Sequence, residues 1–272
     1  MDILEEIVSY KRLEVEKNKD KLPLEKLKKA KRSYAENQFV KTIKLKADKK
    51  QIALIAEVKK ASPSKGIIRE NFNHIEIARS YKKGGASCLS VLTDEKYFKG
   101  NLQFISEIKK EVNLPVLRKD FIIDPYQIYE SVYNQADCIL LIVSALEKDM
   151  LKRLFEMSCE NEINTLIEIH NEKEMETALD VIEVHRDLSL LGINNRNLKT
   201  FETDLNTTKN LVAKYKRDLQ NKIVVSESGI FTNDDIKSLV EYNVFTFLVG
   251  ESLMREENIE NATKKLLMTK SP

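Results

Sequence analysis

Acidic and basic side chains stand at the ends of several short apolar runs, where they could carry out acid–base chemistry. Glu57 and Lys59 are two residues apart, so on a strand both side chains would face the same side. Lys119 ends a second run, and Glu168 lies within a third. A carboxylate in an apolar run must pair with a cation or shift its pKa, because burying a bare charge is costly. The two lysines are candidate partners for Glu168.

The histidines give little sign of a catalytic or metal site. His170 follows Glu168 by two residues, but a lone histidine there is more typical of a hydrogen-bonded rim residue than of a catalyst. His74 and His185 lie in helix-like segments, where we expect structural roles. No His/Cys/Asp cluster has the spacing of metal ligands, so no metal is expected.

Eight apolar runs, rich in Ile, Val and Leu without strict alternation, recur about every 28 residues from residue 52 onward. Such runs are typical of parallel strands buried on both faces, and the spacing suits a strand, a helix and two loops. Helix-like segments lie between them, and one of them, 232–242, begins with a predicted cap formed by Thr232 and Asp235. The predicted strands are 52–58, 88–93, 114–120, 138–143, 164–169, 188–193, 222–228 and 244–250.

Eight such units predict an α/β fold, a (β/α)₈ TIM barrel, which typically needs ~250 residues. We expect residues 1–272 to form one domain, with an N-terminal helical extension over 1–46 and the barrel over 50–265. In the extension, helical spacing is shown by Ile3, Leu4, Ile7, Val8 and Leu13. An open dinucleotide-binding sheet is disfavoured, because no GxGxxG follows the first strand.

A barrel brings the polar strand ends together, since the active site of this fold lies at the carboxyl ends of its strands. Any one of these residues could instead form a salt bridge at the rim, but six strand ends show the same pattern. The last two strands run into SESG (226–229) and VGES (249–252). Small residues there let backbone N–H groups approach an anion, beside a helix N-terminus. The sequence therefore predicts a phosphate site in these two loops.

Composition narrows the class of protein. Lys+Arg is 45 and Asp+Glu is 43, a net charge of +2 that gives no overall field for nucleic acid, and we interpret the basic run 28–32 as a solvated helix face. No apolar run approaches the ~20 residues of a membrane span, and no signal-peptide core opens the chain. Cys88, Cys138 and Cys159 form no CxxC pair, and we expect buried, reduced thiols and a cytoplasmic location.

Seven ordered segments carry a further signal, and together they resemble the indole-3-glycerol phosphate synthase family. The resemblance runs from about residue 50 to the end, with a compatible helical extension before it. The segments are IAEVKKASPSKG (55–66), SVLTDEKYFKG (90–100), LPVLRKDFIIDPYQIYE (114–130), LIEIH (166–170), LGINNRNLKTF (191–201), VSESGI (225–230) and FLVGESLM (247–254).

The resemblance implies a carboxy-lyase of tryptophan biosynthesis that works without a cofactor. It would close the indole ring of 1-(2-carboxyphenylamino)-1-deoxyribulose 5-phosphate and release CO₂ and water. Lys119 would be the general acid that protonates a carbonyl as an aromatic carbon attacks it. Lys59 and Glu168 would serve the later dehydration, while Glu57 and Asn194 would orient groups and stabilise charge.

The resemblance also implies a binding site for the phosphorylated substrate. The matched positions are Ser62 and Pro63 after the first strand, Phe98, Phe121, Leu140 and Leu248 beside the anthranilate ring, Arg196 at an anionic group, Glu227 and Ser228 at the seventh strand, and Gly229, Gly250 and Glu251 in the phosphate loops. Some relatives have serine in place of Glu251. We therefore expect its backbone N–H to meet phosphate while its carboxylate points away.

Two other functions deserve comparison with the synthase. Another phosphate-binding barrel, such as an isomerase of the same pathway, would be expected to use a different acid–base pair. A non-catalytic barrel that binds a sugar phosphate would have little reason to keep Lys59, Lys119 and Glu168 together. As partners we expect the small phosphorylated substrate but neither nucleic acid nor membrane, and we expect a monomer or a weak homo-oligomer.

Overall fold

A computed structural model describes residues 3–29, 38–183 and 186–268 of the chain. Eight parallel strands form a closed barrel in which each strand pairs with the next along the chain and the last pairs with the first. The strands are β1 (Ala53–Val58), β2 (Cys88–Leu92), β3 (Val116–Lys119), β4 (Cys138–Ile142), β5 (Asn164–Ile169), β6 (Ser189–Asn194), β7 (Val224–Glu227) and β8 (Thr246–Val249). The predicted (β/α)₈ TIM barrel is confirmed.

The barrel strands are buried on both faces, which explains why their sequences lack alternation. Every residue of β1, β2, β4, β5 and β6 is buried. Their outward side chains form one large core with the surrounding helices, and their inward side chains fill the barrel. A short antiparallel hairpin, Ala61–Ser62 with Gly66–Ile67, follows β1 at the mouth.

Helices connect the strands and begin at residues that can cap them. Thr232 and Asp235 form the predicted reciprocal cap of the helix Asn233–Val240, and Asp124 with Gln127 forms another before the helix Pro125–Tyr133. The helices are α1 (Ile3–Lys21), α2 (Leu24–Leu27), α3 (Gln38–Ala47), α4 (His74–Gly84), α5 (Glu95–Phe98), α6 (Gln103–Glu111), α7 (Pro125–Tyr133), α8 (Lys148–Glu160), α9 (Glu172–Ile182), α10 (Asn206–Lys214), α11 (Asn233–Val240), α12 (Glu251–Met254) and α13 (Ile259–Leu267).

In its described residues the N-terminal extension is mainly helical, and it contacts both ends of the barrel. The first turn of α1 lines the pocket at the carboxyl ends of the strands, whereas α3 closes the opposite end. The buried face of α3 presents Phe39, Val40 and Ile43 to the starts of several strands, including Ala53 and Cys88. The backbone N–H of Val40 also donates to the buried Asn164 Oδ1 at 3.2 Å.

Several details differ from the expectations drawn from the sequence. Leu13, assigned to the apolar face of α1, is 69% exposed, whereas the buried position on that face is taken by Lys11. Cys88 and Cys138 are buried free thiols as expected, but Cys159 is only partly buried. Residues 30–32 of the basic run and His185 lie outside the described residues. Over the described ranges, no helix combines the length and apolarity needed to cross a bilayer.

Phe39 is expected to stabilise the barrel from the end opposite the pocket. Replacing this fully buried ring in Phe39→Ala leaves a cavity between α3 and the strands, so the free energy of unfolding should fall by about 3–5 kcal/mol. Urea denaturation measures the change. Leu45→Ala, on the exposed side of the same helix, is the control and should change stability by less than about 0.5 kcal/mol. Equal effects of the two substitutions would show that α3 does not seal the barrel.

Candidate active site

All the site residues predicted from the sequence line one pocket at the carboxyl ends of the strands. The set comprises Glu57, Lys59, Ser62, Pro63, Phe98, Lys119, Phe121, Leu140, Glu168, Asn194, Arg196, Glu227, Ser228, Gly229, Leu248, Gly250 and Glu251. Nine elements or their following loops contribute them, so only the closed barrel brings them together.

Lys119, the last residue of β3, lies at the centre of this pocket between two carboxylates. Its Nζ donates to Glu168 Oε2 at 2.8 Å and lies 3.5 Å from Glu227 Oε2. The other oxygen of Glu168 accepts from Asn194 Nδ2 at 3.1 Å. Adjacent strands β5, β6 and β7 supply Glu168, Asn194 and Glu227, so one ammonium ion and one amide hold three neighbouring strand ends together.

The charges of this cluster are balanced by mutual attraction. Burial disfavours the ammonium form of Lys119, but Glu168, Glu227 and Glu57 outweigh it and raise the lysine pKa above its usual range. Burial likewise opposes ionisation of Glu168, yet Lys119 and His170 hold the pKa of that carboxyl well below its usual range. Lys119 and Glu168 are therefore a charged pair across the neutral range.

Glu227 stands apart as the carboxyl that favours its protonated form. Burial, followed by the negative charge of Glu168, raises the pKa of Glu227 to about 8. Within the described part of the chain, its Oε1 is buried without a hydrogen-bond partner. A Cβ on Gly192, on the adjacent strand, would overlap that oxygen, so glycine leaves the space that Glu227 occupies.

Glu57 and Lys59 form a second pair in the pocket, as their two-residue spacing predicted. Lys59 Nζ donates to Glu57 Oε1 at 2.5 Å, although Lys59 lies just beyond the end of β1. Gly250 makes room for this pair, because a Cβ there would overlap the carboxylate of Glu57. The pocket thus holds two lysines, Lys59 and Lys119, and four glutamates, Glu57, Glu168, Glu227 and Glu251.

His170 lies at the edge of the cluster around Lys119. Its Nδ1 lies 3.0 Å from Glu174 Oε2, and its Nε2 lies 3.4 Å from Glu168 Oε1. Burial opposes the imidazolium form, but Glu168 and Glu174 raise the pKa of His170 to about 9. The ring therefore adds positive charge beside Glu168, as a partnered rim residue.

The predicted phosphate loops have backbone suited to an anion. Ser228 and Gly229, which follow β7, both have left-handed backbone, with φ of 65° and 76°. Gly250 precedes the short helix α12 after β8. The carboxylate of Glu251 does not point away from the pocket as expected: it lies 3.4 Å from Arg196 Nη2 and 3.1 Å from Arg255 Nη2. Electrostatic attraction to these two guanidinium groups draws it inward.

Apolar side chains form the remaining walls of the pocket. The rings of Phe98 and Phe121 lie 6.2 Å apart between centroids, with Leu140 and Leu248 on the strands beyond. The sequence reasoning missed three wall residues on α1, namely Ile3, Leu4 and Ile7. The apolar spacing of α1 was visible, but nothing in it indicated which end of the barrel the helix covers.

A metal site is not formed by the side chains of the described residues. Within those ranges, no group of three or more His, Cys, Asp or Glu side chains is placed to hold a metal ion. The pocket carboxylates are engaged by Lys59, Lys119 and Asn194 instead. What the site offers is proton donors and acceptors of opposite charge beside an apolar wall.

Comparison with known proteins gives one consistent relationship. The indole-3-glycerol phosphate synthase family model matches residues 4–266. The indole-3-glycerol phosphate synthase of Polynucleobacter asymbioticus is 44% identical over 97% of this chain and 98% of the relative. The synthase of Priestia megaterium is 49% identical over 80% of this chain and 82% of the relative. A crystal structure of 3-hexulose-6-phosphate synthase, 13% identical, has a TM-score of 0.61 over 79% of this chain and 98% of that chain, which shows a shared fold.

The family match covers every element that lines the pocket. It begins at residue 4, within the first turn of α1, and continues past β8 and the loop that follows it. The relatives match with similar coverage of their own length, so the likeness involves whole chains and not a shared barrel alone. The chain therefore belongs to the indole-3-glycerol phosphate synthase family and is a carboxy-lyase of tryptophan biosynthesis.

Proposed function

We propose that this chain closes the indole ring of 1-(2-carboxyphenylamino)-1-deoxyribulose 5-phosphate, with Lys119 as the general acid. The observation that carries the proposal is the position of the Lys119 ammonium, between Glu168 and Glu227 and against the apolar wall of the pocket. Because its pKa is raised, the lysine stays protonated until a strongly basic oxygen forms on the substrate. An ammonium held in this way is a suitable donor to an oxygen that becomes negative.

In the first step an aromatic carbon attacks the substrate carbonyl carbon. The new carbon–carbon bond pushes the carbonyl electron pair onto oxygen, and Lys119 transfers a proton there to give a hydroxyl group. The carboxyl group then leaves as CO₂, and its bonding electrons return to the ring. The developing alkoxide is far more basic than a carboxylate, so it can take a proton that Glu168 and Glu227 cannot.

The second half of the reaction removes the new hydroxyl group as water. One group must protonate that hydroxyl while another removes a proton from the neighbouring atom. We assign this work to Lys59 and Glu168, with Glu57 and Asn194 as their orienting partners. The anchoring is direct, because Glu57 accepts from Lys59 and Asn194 donates to Glu168.

Substrate binding divides between the apolar and the polar sides of the pocket. The anthranilate ring would lie against Phe98 and Phe121, and the phosphate would bind the backbone N–H groups after β7 and β8. Arg196 is suited to an anionic group of the substrate, which must compete there with Glu251. Ser62 and Pro63 would bound the pocket on the β1 side.

The proposal also covers the domain organisation, location and oligomeric state of the protein. We propose a single domain over residues 1–272 that acts in the cytoplasm as a monomer or a weak homo-oligomer. Support comes from α3, which shares a core with the barrel strands, from α1, whose Val15 packs with Tyr126 of α7, and from the three free thiols. The small phosphorylated substrate is its proposed partner.

Lys119→Ala should lower turnover by several orders of magnitude with little change in substrate binding, because it removes the donated proton and leaves the phosphate loops intact. The assay is the appearance of indole fluorescence on adding the phosphorylated substrate, and the chain has no tryptophan to obscure it. Lys110→Ala, on the exposed surface of α6, is the matched control and should keep full activity. Turnover that survives Lys119→Ala would exclude Lys119 as the acid, and a folded parent protein without activity would exclude the proposed reaction.

Glu227→Gln should stabilise the protein more at pH 8 than at pH 5. A carboxyl whose pKa rises from 4.5 to about 8 on folding binds its proton more tightly in the folded state. Its contribution to stability is full below the unfolded pKa and is lost as the pH rises towards the folded one. Glutamine stays neutral and avoids this loss. Urea denaturation of both proteins at the two pH values measures it, with the exposed Glu241→Gln as control. A difference between parent and variant that does not change with pH would contradict the assignment.

A further inference from the structure

A second buried lysine lies outside the reaction described above. Lys11 on α1 is fully buried, and its Nζ lies 2.9 Å from a carboxylate oxygen of each of three residues, Glu14, Asp94 and Asp120. Only Glu14 belongs to the same helix. The ammonium therefore joins the N-terminal extension to two different loops at the mouth of the barrel. Burying these charges is costly, and the reaction described above uses neither Lys11 nor its three carboxylate partners.

Each of the two loop carboxylates also orders its own segment. Asp94, in the loop after β2, accepts the backbone N–H of Tyr97 at 2.7 Å and so starts α5, which carries Phe98. Asp120 directly follows Lys119, and its two oxygens accept from Phe121 N at 2.8 Å and from Thr93 Oγ1 at 2.6 Å. Each carboxylate thus orders a segment that carries a pocket residue, Phe98 for Asp94 and Phe121 for Asp120.

Asp120 receives a second cation from its own strand. Arg118 Nη2 donates to Asp120 Oδ2 at 3.1 Å and to Glu130 Oε2 on α7 at 2.8 Å. Burial opposes ionisation of Asp120, but Lys11 and Arg118 hold the pKa of its carboxyl well below its usual range. Without Lys11, the carboxylates of Asp94 and Asp120 would face each other with one positive partner fewer, and the residue after β3 would lose its ion pair with α1.

The far half of α1 is attached to the barrel independently of Lys11. Tyr126 Oη donates to the backbone carbonyls of Asn18 and Leu22 at 3.0 and 2.9 Å, and Asn18 Nδ2 donates to Glu130 at 3.3 Å. Loss of Lys11 would therefore leave the helix docked on α7. What it would release is the local contact between α1 and the residues that flank Lys119.

We propose that Lys11 is a positioning residue for catalysis, which acts through Asp120 and Asp94 to fix the Lys119 ammonium and the Phe98 ring relative to the first turn of α1. The inference rests on the proposed role of Lys119 as the general acid. A general acid must stay within hydrogen-bond reach of its acceptor, and displacement by about 1 Å can cost about a hundred-fold in rate. The binding of phosphate, on the β7 and β8 side, does not depend on this contact.

The test is steady-state kinetics of Lys11→Met at a temperature where the variant is fully folded. We expect kcat to fall about a hundred-fold while KM changes by only a few-fold, because the acid is displaced and the phosphate loops are not. Lys17→Met, a lysine on the exposed side of the same helix, should leave both constants unchanged. A kcat within two-fold of the parent, or a loss confined to KM, would overturn the proposal.

A second variant separates positioning from stability. Lys11→Met with Asp94→Asn removes one of the facing carboxylates, so it should recover much of the stability that Lys11→Met loses. We expect its kcat to remain low, because Asp120 still lacks its ammonium partner. Recovery of kcat together with stability would show that Lys11 has a structural role only. If Lys11→Met keeps its kcat while Lys119→Ala is inactive, only the role of Lys11 is overturned. An active Lys119→Ala overturns the role of Lys119 on which this inference rests, and an inactive parent protein overturns the proposed function.

Discussion

The Lys119 ammonium and the carboxylates around it set the conditions that the rest of the structure has to meet. Charges so close to the barrel core are tolerated only when each has a partner, and Glu168 has two, Lys119 and Asn194. A closed barrel supplies these partners, because it brings the ends of strands far apart in the chain to adjacent positions. The same partners keep the Lys119 ammonium charged, so stability and the proposed acid catalysis depend on one arrangement.

Glycines on neighbouring strands or in the loops that follow them provide the space for these carboxylates. Gly192 on β6 leaves room for Glu227, and Gly250 after β8 leaves room for Glu57. The chain has only 7 glycines, and at two of them a glutamate side chain lies close against the backbone in the pocket. Crowding of this kind also favours the neutral form of Glu227, whose charge would add to that of Glu168. The part of the pocket around Lys119 can therefore hold Glu57, Glu168 and Glu227 with fewer than three negative charges.

The fold and the polar strand ends could be predicted from local patterns in the sequence, whereas the apolar wall of the pocket was assigned only through the resemblance to a known family. Runs of Ile, Val and Leu that are buried on both faces mark parallel strands, and the carboxyl ends of those strands converge in any such barrel. The path of the N-terminal extension could not be predicted in this way. Leu13 fitted the apolar spacing and is exposed, whereas Lys11 broke the spacing and is buried. Its three acidic partners come from distant segments, so no pattern within α1 could reveal them.

Alternation along one strand links the two lysine networks. Successive side chains of β3 point to opposite sides, so Lys119 faces the interior of the barrel while Arg118 and Asp120 face the surrounding helices. Arg118 and Asp120 accordingly pair with each other and, through Glu130 and Lys11, with α7 and α1. Three consecutive residues thus place a proton donor in the pocket and attach its backbone on the other side. This attachment matters because β3 has only four residues and Lys119 is the last of them. Beyond Lys119 the backbone is no longer held by strand pairing, so side-chain contacts have to fix its position.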